Sequence, residues 1–138
     1  MKVLIIDDKP VQIERAVAAA KAKGWDVIVS NPSILREHCD INTDWIKMVS
    51  EVDGVMTDLM WNHREHGEKP MGLLVVIEAL MQGKPVVICT NSGPYSGGHH
   101  GEALSFIYDG YRNRSAFGFE EDKDWSRAAD DLAERLAG

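Results

Sequence analysis

Short unbroken apolar runs alternate along the chain with segments whose apolar residues recur every three or four positions. Val3-Leu4-Ile5-Ile6 is a β-branched and aliphatic run, the composition of a strand buried on both faces. Pro10 suits the first turn of a helix, Ile13, Val17 and Ala20 recur at helical spacing, and Gly24 supplies a stop. Asp26-Val27-Ile28-Val29 reads as a second strand. Asn31-Pro32-Ser33 could start a short helix, and Trp45, Ile46, Val49 and Val52 mark one apolar face of another. Gly54-Val55-Met56-Thr57 is a third strand that ends at Asp58. Pro70 opens a helix in which Leu73, Leu74, Ile77, Leu80 and Met81 share a stripe, Gly83 closes it, and Pro85 to Cys89 form strand four. The signal then weakens: Glu102 to Tyr108 suits a fourth helix and Ser115 to Phe119 a fifth strand. The last helix is clearer, with Asp124 as N-cap and Trp125, Ala129, Leu132 and Leu136 on one side.

Alternation of this kind predicts an α/β domain, a doubly wound five-stranded parallel sheet spanning residues 1–138 as one unit. The length suits one compact domain, and 44% hydrophobic with 27% charged residues is an ordinary folded composition. A net charge of −7 argues against a nucleic-acid surface, which needs a concentrated basic face. Lys and Arg are spread thinly, with Arg112 and Arg114 the nearest thing to a cluster. Four apolar residues before Asp7 are too few for a signal-peptide core, and Met71 to Met81, interrupted by Glu78, is far short of a membrane span. Cys39 and Cys89 have no metal-type spacing, so reduced thiols in a cytoplasmic protein are expected.

The candidate chemistry lies at strand ends. Asp7 and Asp8 follow strand one, Asp58 follows strand three and Thr90 follows strand four. In an open parallel sheet such positions share one edge, where ligands bind near the reversal of strand order. With strand order 2-1-3-4-5, Asp7, Asp8 and Asp58 converge. Packed carboxylates repel unless something positive joins them, and a hard divalent cation with oxygen ligands, most naturally Mg2+, answers that. A carboxylate beside such an ion is also a competent nucleophile toward a phosphoryl group.

These residues resemble the receiver domain of bacterial two-component response regulators, the CheY-like branch of flavodoxin-like folds. Val3 to Pro10 is similar to that family's first strand and acidic pair, Val55 to Met60 to its phosphoacceptor strand, and Lys84 to Thr90 to its fourth strand with the switch hydroxyl. The resemblance implies that Asp58 accepts a phosphoryl group from a histidine kinase or phosphotransfer protein. It further implies that Asp8, Asp58 and the backbone carbonyl of Met60 bind Mg2+ directly, and that Asp7 acts through a water. Thr90 then swings toward the phosphoryl group and reports it to the face of helix four and strand five. With no output domain attached, the output is expected to be a protein bound in trans.

Two departures from the family pattern stand out. The family places a Lys at the end of strand five to pair with the phosphoryl oxygens. If Phe117 occupies the aromatic switch position, Glu120 falls there instead, and a carboxylate would repel the phosphoryl group. Lys123 could substitute only if the loop bends, and no spacing argument favours it. Glu120 therefore motivates a second reading, a phosphorylation-silent pseudo-receiver acting as a protein-interaction module. The other departure is Trp61 to Pro70, a polar connection longer than the family's between strand three and helix three. His63 and His66, with His99 and His100 in the Gly-rich stretch 93–101, could overhang the same edge and make a transition-metal site with Asp58, although His-x-x-His in a loop is a weak pattern. Asn91 to Gly98 could cradle an anion but lacks the Lys and spacing of a phosphate-binding loop, so a turn is expected. Trp61 could be a lid, a partner contact or a partly buried aromatic. A third reading is a haloacid-dehalogenase-type phosphatase, from Glu51 to Asp58 and Ile88 to Asn91, with Glu51 at the nucleophile position and Asp53 behind it.

Overall fold

In the computed structural model the described residues are 1–32, 43–63, 67–91 and 117–138. The elements in chain order are β1 (Lys2–Ile6), α1 (Pro10–Ala22), β2 (Asp26–Ser30), α2 (Thr43–Ser50), β3 (Gly54–Thr57), β4 (Trp61–His63), β5 (Gly67–Lys69), α3 (Gly72–Met81), β6 (Val86–Cys89), β7 (Phe117–Glu120) and α4 (Trp125–Ala137). The expected fourth helix at 102–108 and the first two residues of the expected fifth strand lie outside the described residues, as do Asn91's neighbours 92–98.

The aliphatic runs become the sheet. β1 pairs in parallel with β2 on one side and β3 on the other, β3 pairs with β6, and β6 with β7, all parallel. The order β2-β1-β3-β6-β7 is the expected 2-1-3-4-5 arrangement once the small β4–β5 ribbon is set aside. Every residue of β3 and β6 is buried, as a sheet covered on both faces requires. Period-two alternation sorts the strand side chains into two layers. Leu4, Ile6, Val55, Val86 and Ile88 face α2 and α3, while Val3, Ile5, Met56 and Val87 face α1 and α4.

The helices meet the sheet through faces that differ in part from the sequence expectation. α1 buries Ala16, Ala19 and Ala20, leaving Ile13 and Val17 half-buried, because small side chains let it lie close to the sheet and to α4. α4 buries Trp125, Ala128, Ala129 and Leu132, close to the expected side, and Asp124 caps it by accepting from the amides of Ser126 and Arg127. In α2, Trp45 and Val49 are buried and Ile46 is exposed. The expected stripe on α3 is corrected. Gly72, Val75, Val76 and Ala79 face the sheet, and Ile77 and Met81 are exposed. A helix apolar nearly all round does not declare its face by periodicity; here the closest-packing residue, Gly72, sets the rotation.

The polar connection after β3 is also corrected from a loop to a ribbon. β4 and β5 pair antiparallel, Trp61 opposite Lys69 and His63 opposite Gly67. Trp61 is neither lid nor rim. It is 2% exposed and packs edge-on against Trp45, with ring centroids 5.8 Å apart. The ribbon closes at its base, where the Gly72 amide donates to the Leu59 carbonyl at 2.8 Å. A Cβ at Gly72 would collide with the Asp58 carbonyl oxygen and lie 2.9 Å from the Leu59 Cα. Gly72→Ala is therefore expected to lower stability by about 1–3 kcal/mol, as overpacking against backbone does. In urea unfolding the midpoint should fall with the slope unchanged; an unshifted midpoint would show that the approach is not tight.

Candidate functional site

The end of β1 and the end of β3 are neighbours, so the residues that follow them emerge together at the C-terminal edge of the sheet. Asp7, Asp8 and Asp58 each bring a carboxylate oxygen within 4.8 Å of the others. The backbone sets this arrangement. The Asp58 amide donates to the Ile6 carbonyl at 2.8 Å, continuing the β1–β3 ladder by one residue. The Thr57 hydroxyl donates to the Asp58 carbonyl, and the Leu59 amide donates to Asp58 Oδ1 at 2.8 Å. Asp7 is fully buried and its Oδ1 accepts from the Lys9 amide, which fixes the turn into α1.

The cation in the cluster is Lys123. Its Nζ lies 2.7 Å from Asp7 Oδ2, 2.9 Å from Asp58 Oδ1 and 3.2 Å from the Cys89 carbonyl, so all three ammonium protons have acceptors. The ammonium also stands 5.1 Å from the centre of the Trp125 ring. Lys123 reaches this position from the loop after β7 with φ = 56°, in the left-handed region, where no other non-glycine among the described residues is found. That conformation costs of order 1–3 kcal/mol and persists where surrounding contacts over-determine it.

The expectation for Glu120 is therefore corrected. Glu120 does end β7, with its backbone carbonyl accepting from the Thr90 amide, but its side chain does not oppose the pocket. The carboxylate is buried in its own loop and accepts from the amides of Asp122 at 3.1 Å and Asp124 at 2.7 Å. It holds the bend that delivers Lys123. Sequence spacing missed this because the basic residue enters from a loop three residues beyond the strand, and only the backbone bend makes that distance short.

Three carboxylates against one ammonium leave the cluster negative. Burial, then the charge of Asp7, pushes the Asp8 carboxyl above its ordinary pKa. Burial also pushes Asp58 up, more than the neighbouring Lys123 pulls it down. For Lys123, burial works against the charge, but Asp58 and the hydrogen bonds to Asp7 and Asp58 outweigh it, and its pKa rises. Burial raises the Cys89 thiol far above its ordinary range, which makes it a packed core group and not a nucleophile. Asp8 Oδ1 is buried and has no hydrogen-bond partner among the described residues. An orphaned anionic oxygen beside two further carboxylates is the donor set of a hard divalent cation, so these residues fit Mg2+.

Beside the cluster lies a cavity of ≈120 Å³ lined by Asp58, Met60, Thr90 and Lys123, with Lys9, the N-cap residue of α1, and Gln12 in its first turn also reaching it. Thr90 is 3% exposed at the end of β6. Asp58, Met60 and Thr90 thus meet at one cavity. The hydrolase residues do not. Asp53 precedes β3, at the opposite end of that strand from Asp58, is exposed, and accepts from the Lys2 amide. Glu51 is likewise exposed there. His63 lies in β4, and His66, His99, His100, Cys39, Arg112 and Arg114 fall outside the described residues, as does most of the Gly-rich stretch. Among the described residues no helix is long and apolar enough to cross a membrane.

No family model matches the chain, and no curated protein matches it. Among solved structures it is similar to a response regulator receiver domain protein from Clostridium thermocellum, with TM-score 0.53, 19% identity, and 99% of this chain and 96% of that one covered. It is equally similar to a de novo designed Rossmann 2x3 fold protein, with TM-score 0.55, 18% identity, and coverage of 99% and 89%. Likeness at this level shows the fold, a receiver-like five-stranded parallel α/β sheet. Because a designed scaffold shares it, function has to be argued from the site.

Two outcomes are expected. Lys123→Met should cost about 3 kcal/mol or more at pH 7.5, because it strands Asp7 and Asp58 without their cation. The loss should be smaller at pH 5. The folded Asp58 carboxyl already titrates above its ordinary value, so its ionisation costs stability as pH rises through the folded pKa; without Lys123 that pKa climbs further, and the lower pH relieves more of the strain on the site. Urea unfolding at the two pH values reads the difference, and an equal loss at both would contradict the pairing. Glu120→Lys should lower stability by about 2 kcal/mol through loss of a charged acceptor for two amides, and should weaken Mg2+ binding; a gain in either would mean the strand end faces the pocket after all.

Proposed function

We propose that the chain is a receiver-type phosphoacceptor in which Asp58 takes a phosphoryl group in the presence of Mg2+. One observation carries the reading: three carboxylates and the Lys123 ammonium cluster at the C-terminal edge of the sheet, where Asp58 and Lys123 open onto a small cavity. Asp58 Oδ1 is held by Lys123 and the Leu59 amide, and among the described residues nothing bonds Oδ2, which leaves that oxygen to act as nucleophile. Toward an acyl phosphate, Oδ2 attacks phosphorus, the bond from phosphorus to the acyl oxygen breaks, and its electron pair leaves with the carboxylate. No proton has to move. Asp8, Asp58 and the Met60 carbonyl would hold Mg2+ directly, with Asp7 behind them, and the ion when bound supplies charge neutralisation for the transferring oxygens.

In this reading Thr90 carries the phosphorylated state outward through its hydroxyl and through its backbone pairing with β7. The natural donor would be a histidine kinase or phosphotransfer protein, and the output a protein bound in trans. The alternative of a phosphorylation-silent module drew on Glu120 facing the phosphoryl group, and the bend that turns Glu120 inward removes its motive.

Incubation with acetyl phosphate and Mg2+ is expected to add one phosphoryl mass to the chain. The gain should vanish in Asp58→Asn and without Mg2+. A chain that stays unmodified with several small phosphodonors is not a phosphoacceptor, and a gain retained in Asp58→Asn puts the acceptor elsewhere.

A further inference from the structure

The Lys123 ammonium spends its three protons on Asp7, Asp58 and the Cys89 carbonyl. A phosphoryl group in transfer spreads negative charge over three equatorial oxygens, each of which needs a donor or a cation. Lys9, Thr90 and Asn91 also line this cavity with donor groups, and α1 provides one more whose orientation is fixed. Gln12 is half-buried and lines the cavity alongside Asp58. Its Oε1 accepts from Trp125 Nε1 at 2.9 Å, and Trp125 is 3% exposed. An indole N–H can only donate, so this contact fixes which end of the amide is oxygen. The remaining end is Nε2, a donor of two protons that has no acceptor among the described residues.

We propose that Gln12 is a catalytic residue of the phosphotransfer, donating from Nε2 to a phosphoryl oxygen in the cavity, and that Trp125 is the positioning residue that sets its amide. The inference rests on the phosphoacceptor reading and adds a participant to it. Trp125 opens α4 directly after Asp124, which caps that helix, and its ring lies beside the Lys123 ammonium. One side chain thus orients the amide through its indole N–H and flanks the cation with its ring.

Gln12→Glu and Gln12→Met separate donation from packing. Glutamate keeps an acceptor for Trp125 and loses the donor, whereas methionine keeps the length and loses both. Acetyl phosphate with Mg2+ should label both variants about tenfold more slowly than the parent chain, the size of one lost hydrogen bond to a charged group. Calorimetry supplies a second readout. Affinity for beryllofluoride, a phosphoryl mimic, should fall by a similar factor in both variants, and affinity for Mg2+ alone should be unchanged in Gln12→Met. Trp125→Phe should lower labelling by a smaller factor. If the parent chain is labelled and Gln12→Glu is labelled at the same rate, donation from Gln12 is overturned while the phosphoacceptor reading stands. If Glu restores what Met loses, the role is structural and the proposal is again overturned. A parent chain that neither labels nor binds beryllofluoride overturns both.

Discussion

The site depends on one ion pair network, the Lys123 ammonium seated between Asp7 and Asp58. Burying two carboxylates of a three-acid cluster is costly in a low-dielectric edge, and a single cation with all its protons satisfied offsets much of that cost. The network also ties together parts of the chain far apart in sequence: the first strand, the third strand and the loop before the last helix. The left-handed backbone at Lys123 and the inward turn of Glu120 follow from the same requirement. Both are local oddities, and both serve to place one ammonium group. What Lys123 does not neutralise leaves the three-carboxylate cluster negative, with Asp8 Oδ1 buried and unpartnered among the described residues.

Much of the fold was legible because a doubly covered parallel sheet writes itself as unbroken aliphatic runs. Val3 to Ile6, Gly54 to Thr57 and Val86 to Cys89 each became a strand at nearly the expected bounds. The convergence of Asp7, Asp8 and Asp58 was legible too, since strand ends and strand order suffice to bring them together. Helix faces were harder. Ile77 and Met81 on α3 are apolar and exposed, and periodicity cannot choose a face when nearly every residue is apolar. The ribbon at 61–69 was read as a loop because its polar composition hides the pairing that Trp61 anchors.

The roles of Glu120 and Lys123 were reversed in the sequence because they depend on where a loop bends, which is a matter of backbone hydrogen bonds and not of spacing. Glu120 sits in the position that charge reasoning flags as hostile, yet its carboxylate is spent on two amides. Gln12 carried no signal at all. Only the indole of Trp125, more than a hundred positions away, gives its amide a direction.

The neck of the β4–β5 ribbon has a consequence for how such a chain can vary. Because the Gly72 amide is clamped to the Leu59 carbonyl, the strands beyond that clamp return to their starting point before α3 begins. Past the anchoring Trp61, the excursion can be lengthened, trimmed or recoded as a port for new surface chemistry, while Asp58 at its root keeps its register.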